Sequence, residues 1–144
     1  MSSTSGTRGI RSNNPGNIDY NASIKWKGQI GKETGVPNPR FIRFSMPEYG
    51  IRAMAKILLT YYDKHHIRTV DGIVGRWAPP SENDTGSYAQ SVASKLGVEV
   101  DAIINVHHMP VMLALVKAII THENGEQPYS ENTITKGINM AGVA

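Results

Sequence analysis

Between Ser45 and Tyr62 the chain is apolar around most of a helical circumference, and such a segment folds only if other elements cover it. Ile51, Met54, Ala55, Leu58 and Tyr62 fall on one stripe at helical spacing, and Ile57, Leu59 and Tyr61 widen it. This pattern predicts a central core helix. Ser45-Met46-Pro47-Glu48 ahead of it fits a capping box. Lys64-His65-His66 follows at the C-terminal end, where cations suit the macrodipole.

A second long helix is predicted from Pro110 to Gly125, PVMLALVKAIITHENG. Pro110 suits a first helical turn, where its missing N–H has no partner to lose. Met112, Val116, Ile119 and Glu123 share one face, so the apolar stripe ends in a carboxylate. Gly125 supplies the closing residue. Other start and stop signals fill the interval. Thr69 caps VDGIVGRW, and Asp84 or Thr85 caps a helix with the stripe Tyr88, Val92 and Leu96 that Gly97 stops. One more helical turn is expected in Val98–His108, and a short helix from Thr135 onward.

Before the core helix the text changes character. Arg8 to Arg40 is dense in Gly, Asn and Pro, with short apolar pieces at Ile18, Ile24 to Trp26 and Ile30. Phe41-Ile42-Arg43-Phe44 alternates like a short strand. The expectation is a mainly α fold, a single α+β domain over residues 8–144 with a small irregular or β lobe near its N-terminus. A Ser/Thr/Gly-rich disordered tail over residues 1–7 precedes it.

With 144 residues, 40% of them hydrophobic, the chain can bury one core without staples. It has no cysteine, which excludes disulfides, thiol catalysis and Cys-ligated zinc. The adjacent pairs His65-His66 and His107-His108 do not converge on one ion, so no metal site and no cofactor are expected. No apolar run has the length of a membrane span, and MSSTSGTRGIRSNNPG lacks the apolar stretch of a signal peptide. A net charge of +3 suits an anionic partner, but the basic residues are spread out and no nucleic-acid motif accompanies them. A monomer is expected.

What remains is carboxylates among aromatic and amide side chains, the equipment of carbohydrate chemistry. Glycosidic cleavage needs a protonated carboxyl for the leaving oxygen and a second group for the oxocarbenium ion or the attacking water. Glu123, held neutral by the Ile119/Val116 face, is the candidate acid. Asn14, Asn17, Trp26, Asn83, Tyr88 and Tyr129 are the candidate glycan contacts, and Trp77 is a further aromatic that can stack on a sugar.

The series RGIRSNNPGNI, WKGQIG, FIRFSMPEYGIRAM, RWAPPSENDT with SYAQSVA, and IITHENGEQPY resembles the small lysozyme-like proteins of bacteriophages and prophages over residues 8 to 142. That resemblance implies a peptidoglycan-cleaving muramidase or virion-associated transglycosylase; an N-acetylglucosaminidase and a non-catalytic virion protein are the alternatives. In lysozyme-like glycosidases a glutamate-ending helix precedes an Asn-containing turn, a Trp-x-Gly segment and a Phe-rich entry into a core helix. Here Asn17-Ile18, Trp26-Lys27-Gly28 and Phe41-Ile42-Arg43-Phe44 keep that order, while Glu123-Asn124-Gly125 comes last. The chain thus resembles a circularly permuted relative, with Glu123 matching the acid; the resemblance implies Glu33 in GKETG as the second polar or acidic group, with Glu82 in PPSEND as its rival. Such a protein is implied to be made in the host cytoplasm and brought to peptidoglycan by a holin, a virion or another export route.

Overall fold

The computed structural model describes residues 6–144. In chain order it contains α1 (Arg8–Arg11), β1 (Gln29–Lys32), β2 (Ile42–Phe44), α2 (Pro47–Asp63), α3 (Val70–Trp77), α4 (Thr85–Leu96), α5 (Met109–Asn124) and α6 (Glu131–Met140). The fold is mainly helical, with one two-stranded antiparallel sheet. Of the expected disordered tail, residues 1–5 lie outside the described residues, while Thr7 hydrogen-bonds the side chain of Asn124.

Most helix boundaries follow from their caps. Thr69, Asp84 and Ser130 each accept a backbone N–H three residues on, at 3.2 Å, and so satisfy a donor that has no helical partner. Gly97 and Gly125 close α4 and α5 in the left-handed conformation, with φ of 71° and 75°.

Three boundaries differ from expectation. The capping box at Ser45 does not form: Met46 is the N-cap of α2, and no side chain caps it. Ser45 instead donates its backbone N–H to Gly28 across the lobe, and Pro47 enters the first turn with no donor to satisfy. Val98–His108 contains no helix. It is built of turns at Glu99–Ala102 and Asn105–His108, with a bridge between Ile103 and Thr69 and a bond from the Ile104 N–H to the Arg68 carbonyl. Finally, α6 starts at Glu131 rather than near Thr135, because Ser130 caps it earlier.

The core forms where α2, α5 and α6 meet. Ile51, Met54 and Leu58 of α2, Met112, Leu115, Val116 and Ile119 of α5, and Ile134 and Ile138 of α6 are all fully buried. At about 1.5–3 kcal/mol per fully buried aliphatic side chain, this cluster is the main stabilising term. Gly137 lets α6 lie directly on α2: a Cβ there would fall 2.7 Å from the Ile51 side chain and 2.9 Å from the Glu48 carbonyl oxygen. In the lobe, Ile42 and Phe44 point into the core while Arg43 is half-exposed, as the alternation predicts. The pieces around Ile18 and Ile24 to Trp26 form turns and a single bridge, not strands. Among the described residues, no helix is long and apolar enough to cross a membrane.

Candidate functional site

The end of α5 is joined to the N-terminal segment by a buried amide. Asn124 donates to the carbonyls of Pro15 at 2.8 Å and Ile120 at 3.0 Å, and accepts from the Thr7 hydroxyl. Gly9 leaves the room for this junction. A Cβ on it would stand 2.5 Å from Asn17 Oδ1 and 2.8 Å from Asn124 Oδ1. Asn17 itself takes a left-handed backbone, φ 52°, a conformation asparagine tolerates better than most residues.

That turn aims Asn17 at Glu123. Asn17 Nδ2 donates to Glu123 Oε1 at 2.9 Å, and the Tyr88 hydroxyl donates to Oε2 at 2.9 Å. Glu123 is half-buried, and two polar donors hold its oxygens, rather than the apolar Ile119/Val116 face alone as expected. Tyr88 is fully buried, with the His122 ring stacked on it at 3.6 Å between centroids. Burial first, and then the charge of Glu123, pushes the Tyr88 phenol well above its ordinary pKa, so it stays a donor throughout the physiological range.

Glu123 opens onto a cleft of about 480 Å³. Asn17 and Asp19 line it from the lobe, Ile57 and Tyr61 from α2, Arg76 and Trp77 from α3, and Glu82 and Asn83 from the loop before α4. Arg40 spans lobe and loop: its guanidinium pairs with Asp19 at 2.5 Å and with Glu82 at 2.9 Å. All three groups are about half-exposed, so these pairs position the loop more than they stabilise the fold. The Arg76 guanidinium lies 5.6 Å from the Tyr61 ring centroid.

Several candidate residues take other roles. Glu33 does not reach the cleft and is almost completely buried at the end of β1. It accepts from Arg8 Nε at 2.9 Å, from Arg8 Nη2 at 2.5 Å, and from the backbone N–H groups of Arg40 and Phe41 at 2.9 Å each. The Arg8 guanidinium, with those two N–H groups, holds the Glu33 carboxyl at about 2, far below the ordinary carboxylate value. A carboxyl so bound is held as the anion and has no proton to give. Asn14 is fully buried and structural, bonding the backbone of Ile18 and Ile42. Tyr88 orients Glu123 and offers no face to a sugar. Tyr129 lies outside the cleft, its hydroxyl buried without a partner, and burial pushes its pKa up to about 12. Trp26 lines a different groove, described below.

The cleft therefore unites Glu123, Asn17, Glu82, Asn83 and Trp77 from the sequence reading. It adds Asp19, Arg40, Tyr61 and Arg76, which that reading missed. Only the basic residue before the Phe41–Phe44 alternation hinted at Arg40, and Asp19 and Arg76 carry no local signal. Among the described residues, no three His, Asp or Glu side chains gather as a metal site would require.

No protein-family profile matches the chain. Over 132 residues it is 39% identical to Protein P5 of Pseudoalteromonas phage PM2, an alignment that covers 90% of this chain and 79% of that protein. A likeness of that depth, spanning the lobe, the core and the Glu123 helix alike, places the chain in the family of phage PM2 Protein P5.

Proposed function

We propose that this protein cleaves the glycan strands of bacterial peptidoglycan, at the β-1,4 bond between N-acetylmuramic acid and N-acetylglucosamine, with Glu123 as the general acid. The observation that carries the reading is that Asn17 and the buried Tyr88, from distant parts of the chain, both donate to Glu123 where it lines an aromatic- and amide-lined cleft. A protonated Glu123 delivers its proton to the leaving glycosidic oxygen as the C1–O bond breaks. Tyr88 and Asn17 fix the carboxyl for that transfer, and Trp77 and Tyr61 offer apolar faces to sugar rings. The contact between the N-terminal turn and the end of α5 also supports a lysozyme-like domain, circularly permuted so that its glutamate helix comes late in the chain. The phage origin of Protein P5 fits a role in host lysis or wall penetration.

Hydrolysis requires Asp19 or Glu82 as the second group. Arg40 holds both of them, and this favours a second reading: a lytic transglycosylase, in which a hydroxyl of the substrate attacks C1. Mass spectrometry of the fragments released from purified sacculi separates the two, because hydrolysis adds one water per cut and transglycosylation adds none. The reducing-end sugar separates a muramidase from a glucosaminidase. Glu123→Gln should abolish release while the protein remains folded. Undiminished release by that variant sinks the assignment, and binding without any release by the parent makes the protein a non-catalytic glycan binder.

A further inference from the structure

Trp26 was expected in the cleft and is absent from it. It lines a separate groove of about 780 Å³ on the other side of α2, together with Lys25, Lys27, Arg52 and Lys56. The two grooves share no lining residue. Arg52 and Lys56 of α2 face this one, and Ile57 and Tyr61 face the cleft. Four cations line the groove and no carboxylate does, whereas the whole chain nets only +3. Among the described residues, none of the four forms an ion pair with an acidic side chain.

The backbone that carries the aromatic residue of this groove is held by hydrogen bonds on both its N–H and its carbonyl. The Gln29 side chain accepts the Trp26 N–H at 3.1 Å, and the Gln29 N–H returns to the Trp26 carbonyl at 3.2 Å. Gly28 takes φ 81° above the Tyr49 ring, and its carbonyl accepts the Ser45 N–H at 2.9 Å. The Trp26 turn is thus built before any ligand arrives.

The geometry points to a second binding site, one that holds an acidic glycan strand by its stem-peptide carboxylates and a sugar face while another stretch is cut in the cleft. This rests on the peptidoglycan reading above. The shape and content of the groove select that occupant. A single-stranded nucleic acid stacks successive bases on several aromatics, and here there is one. A bilayer is met by a projecting apolar face, and this surface is concave and rimmed by lysines. One indole among dispersed cations fits a chain of sugars bearing spaced carboxylates.

The test uses the full chain in a Glu123→Gln background, so that cutting does not interfere, and measures cosedimentation with purified sacculi. Lys25→Glu, Lys27→Glu and Lys56→Glu together should lower the bound fraction about tenfold at ~0.1 M salt, where exposed charges still act across about 10 Å. Trp26→Ala should weaken binding with no change in charge. In the wild-type background, the triple variant should cut a short soluble muropeptide chain within about twofold of the parent rate, since its lysines lie outside the cleft. Equal cosedimentation of parent and triple variant overturns the inference, as does failure of the parent to bind. So does stronger lysine-dependent binding to a single-stranded oligonucleotide or to anionic phospholipid vesicles. The peptidoglycan reading fails on a different readout, the absence of released fragments from the wild type.

Discussion

Glu123 and Glu33 are both half-buried or buried glutamates bound by specific donors, and only Glu123 lines the cleft. Glu123 accepts one bond on each oxygen, from a neutral amide and a neutral phenol, and faces an open cleft. Glu33 accepts four, two of them from a guanidinium, and lies outside that cleft. Neutral donors orient a carboxyl without adding a charge beside it. A guanidinium fork and two amide N–H groups commit it to the anion. Partner type and access to the cleft, more than burial, separate the two carboxylates here.

The comparison breaks most visibly at Glu123. Glu123→Gln should cut fragment release about a thousandfold with little change in stability, as read by mass spectrometry and urea denaturation. Glu33→Ala should do the reverse. It strands two backbone N–H groups and the Arg8 guanidinium, and should cost about 3 kcal/mol in urea unfolding while the rate per folded molecule is kept. A large loss of specific activity in Glu33→Ala would erase the distinction.

Acid sharpens it further. The folded Glu33 carboxyl sits at about 2 against an ordinary 4.5, so the unfolded chain takes up this proton first as pH falls. The stability it contributes is complete above about pH 4.5 and is lost from there down to about pH 2. Glu33→Gln should flatten thermal stability across that window. Smaller effects are expected at the supports. Tyr88→Phe should slow release about tenfold and cost about 1 kcal/mol, with no further loss of rate when added to Glu123→Gln. Asp84→Ala, which removes the cap of α4, should cost about 1 kcal/mol and test how firmly that helix carries the Glu82–Asn83 loop.

The helical part of the fold was legible because its signals are local. Stripes at helical spacing marked α2 and α5, and Thr69, Asp84, Gly97 and Gly125 marked ends of α3, α4 and α5 through bonds three or four residues away. The failures share a cause: a distant partner outbid the local one. Ser45 fits a capping box by spacing, but its N–H is taken by Gly28. After Val98, turns and a bridge from Ile103 to Thr69 stand where one more helical turn was expected. Trp26 and Glu33 lie in a lobe with no periodicity, so nothing in the text assigned them a direction.

Sequence alone thus determined a helical core, most helix ends, and a glutamate closing an apolar helix. Tertiary structure decided that Asn17 and Tyr88 hold that glutamate, across separations of 106 and 35 residues. It also decided that Glu33 belongs to Arg8 and that Trp26 faces a second groove. Caps and stripes are set by neighbours within one or two turns, which the order of residues specifies directly. Membership of a cleft depends on how whole elements pack against one another, and no short window of sequence contains that information.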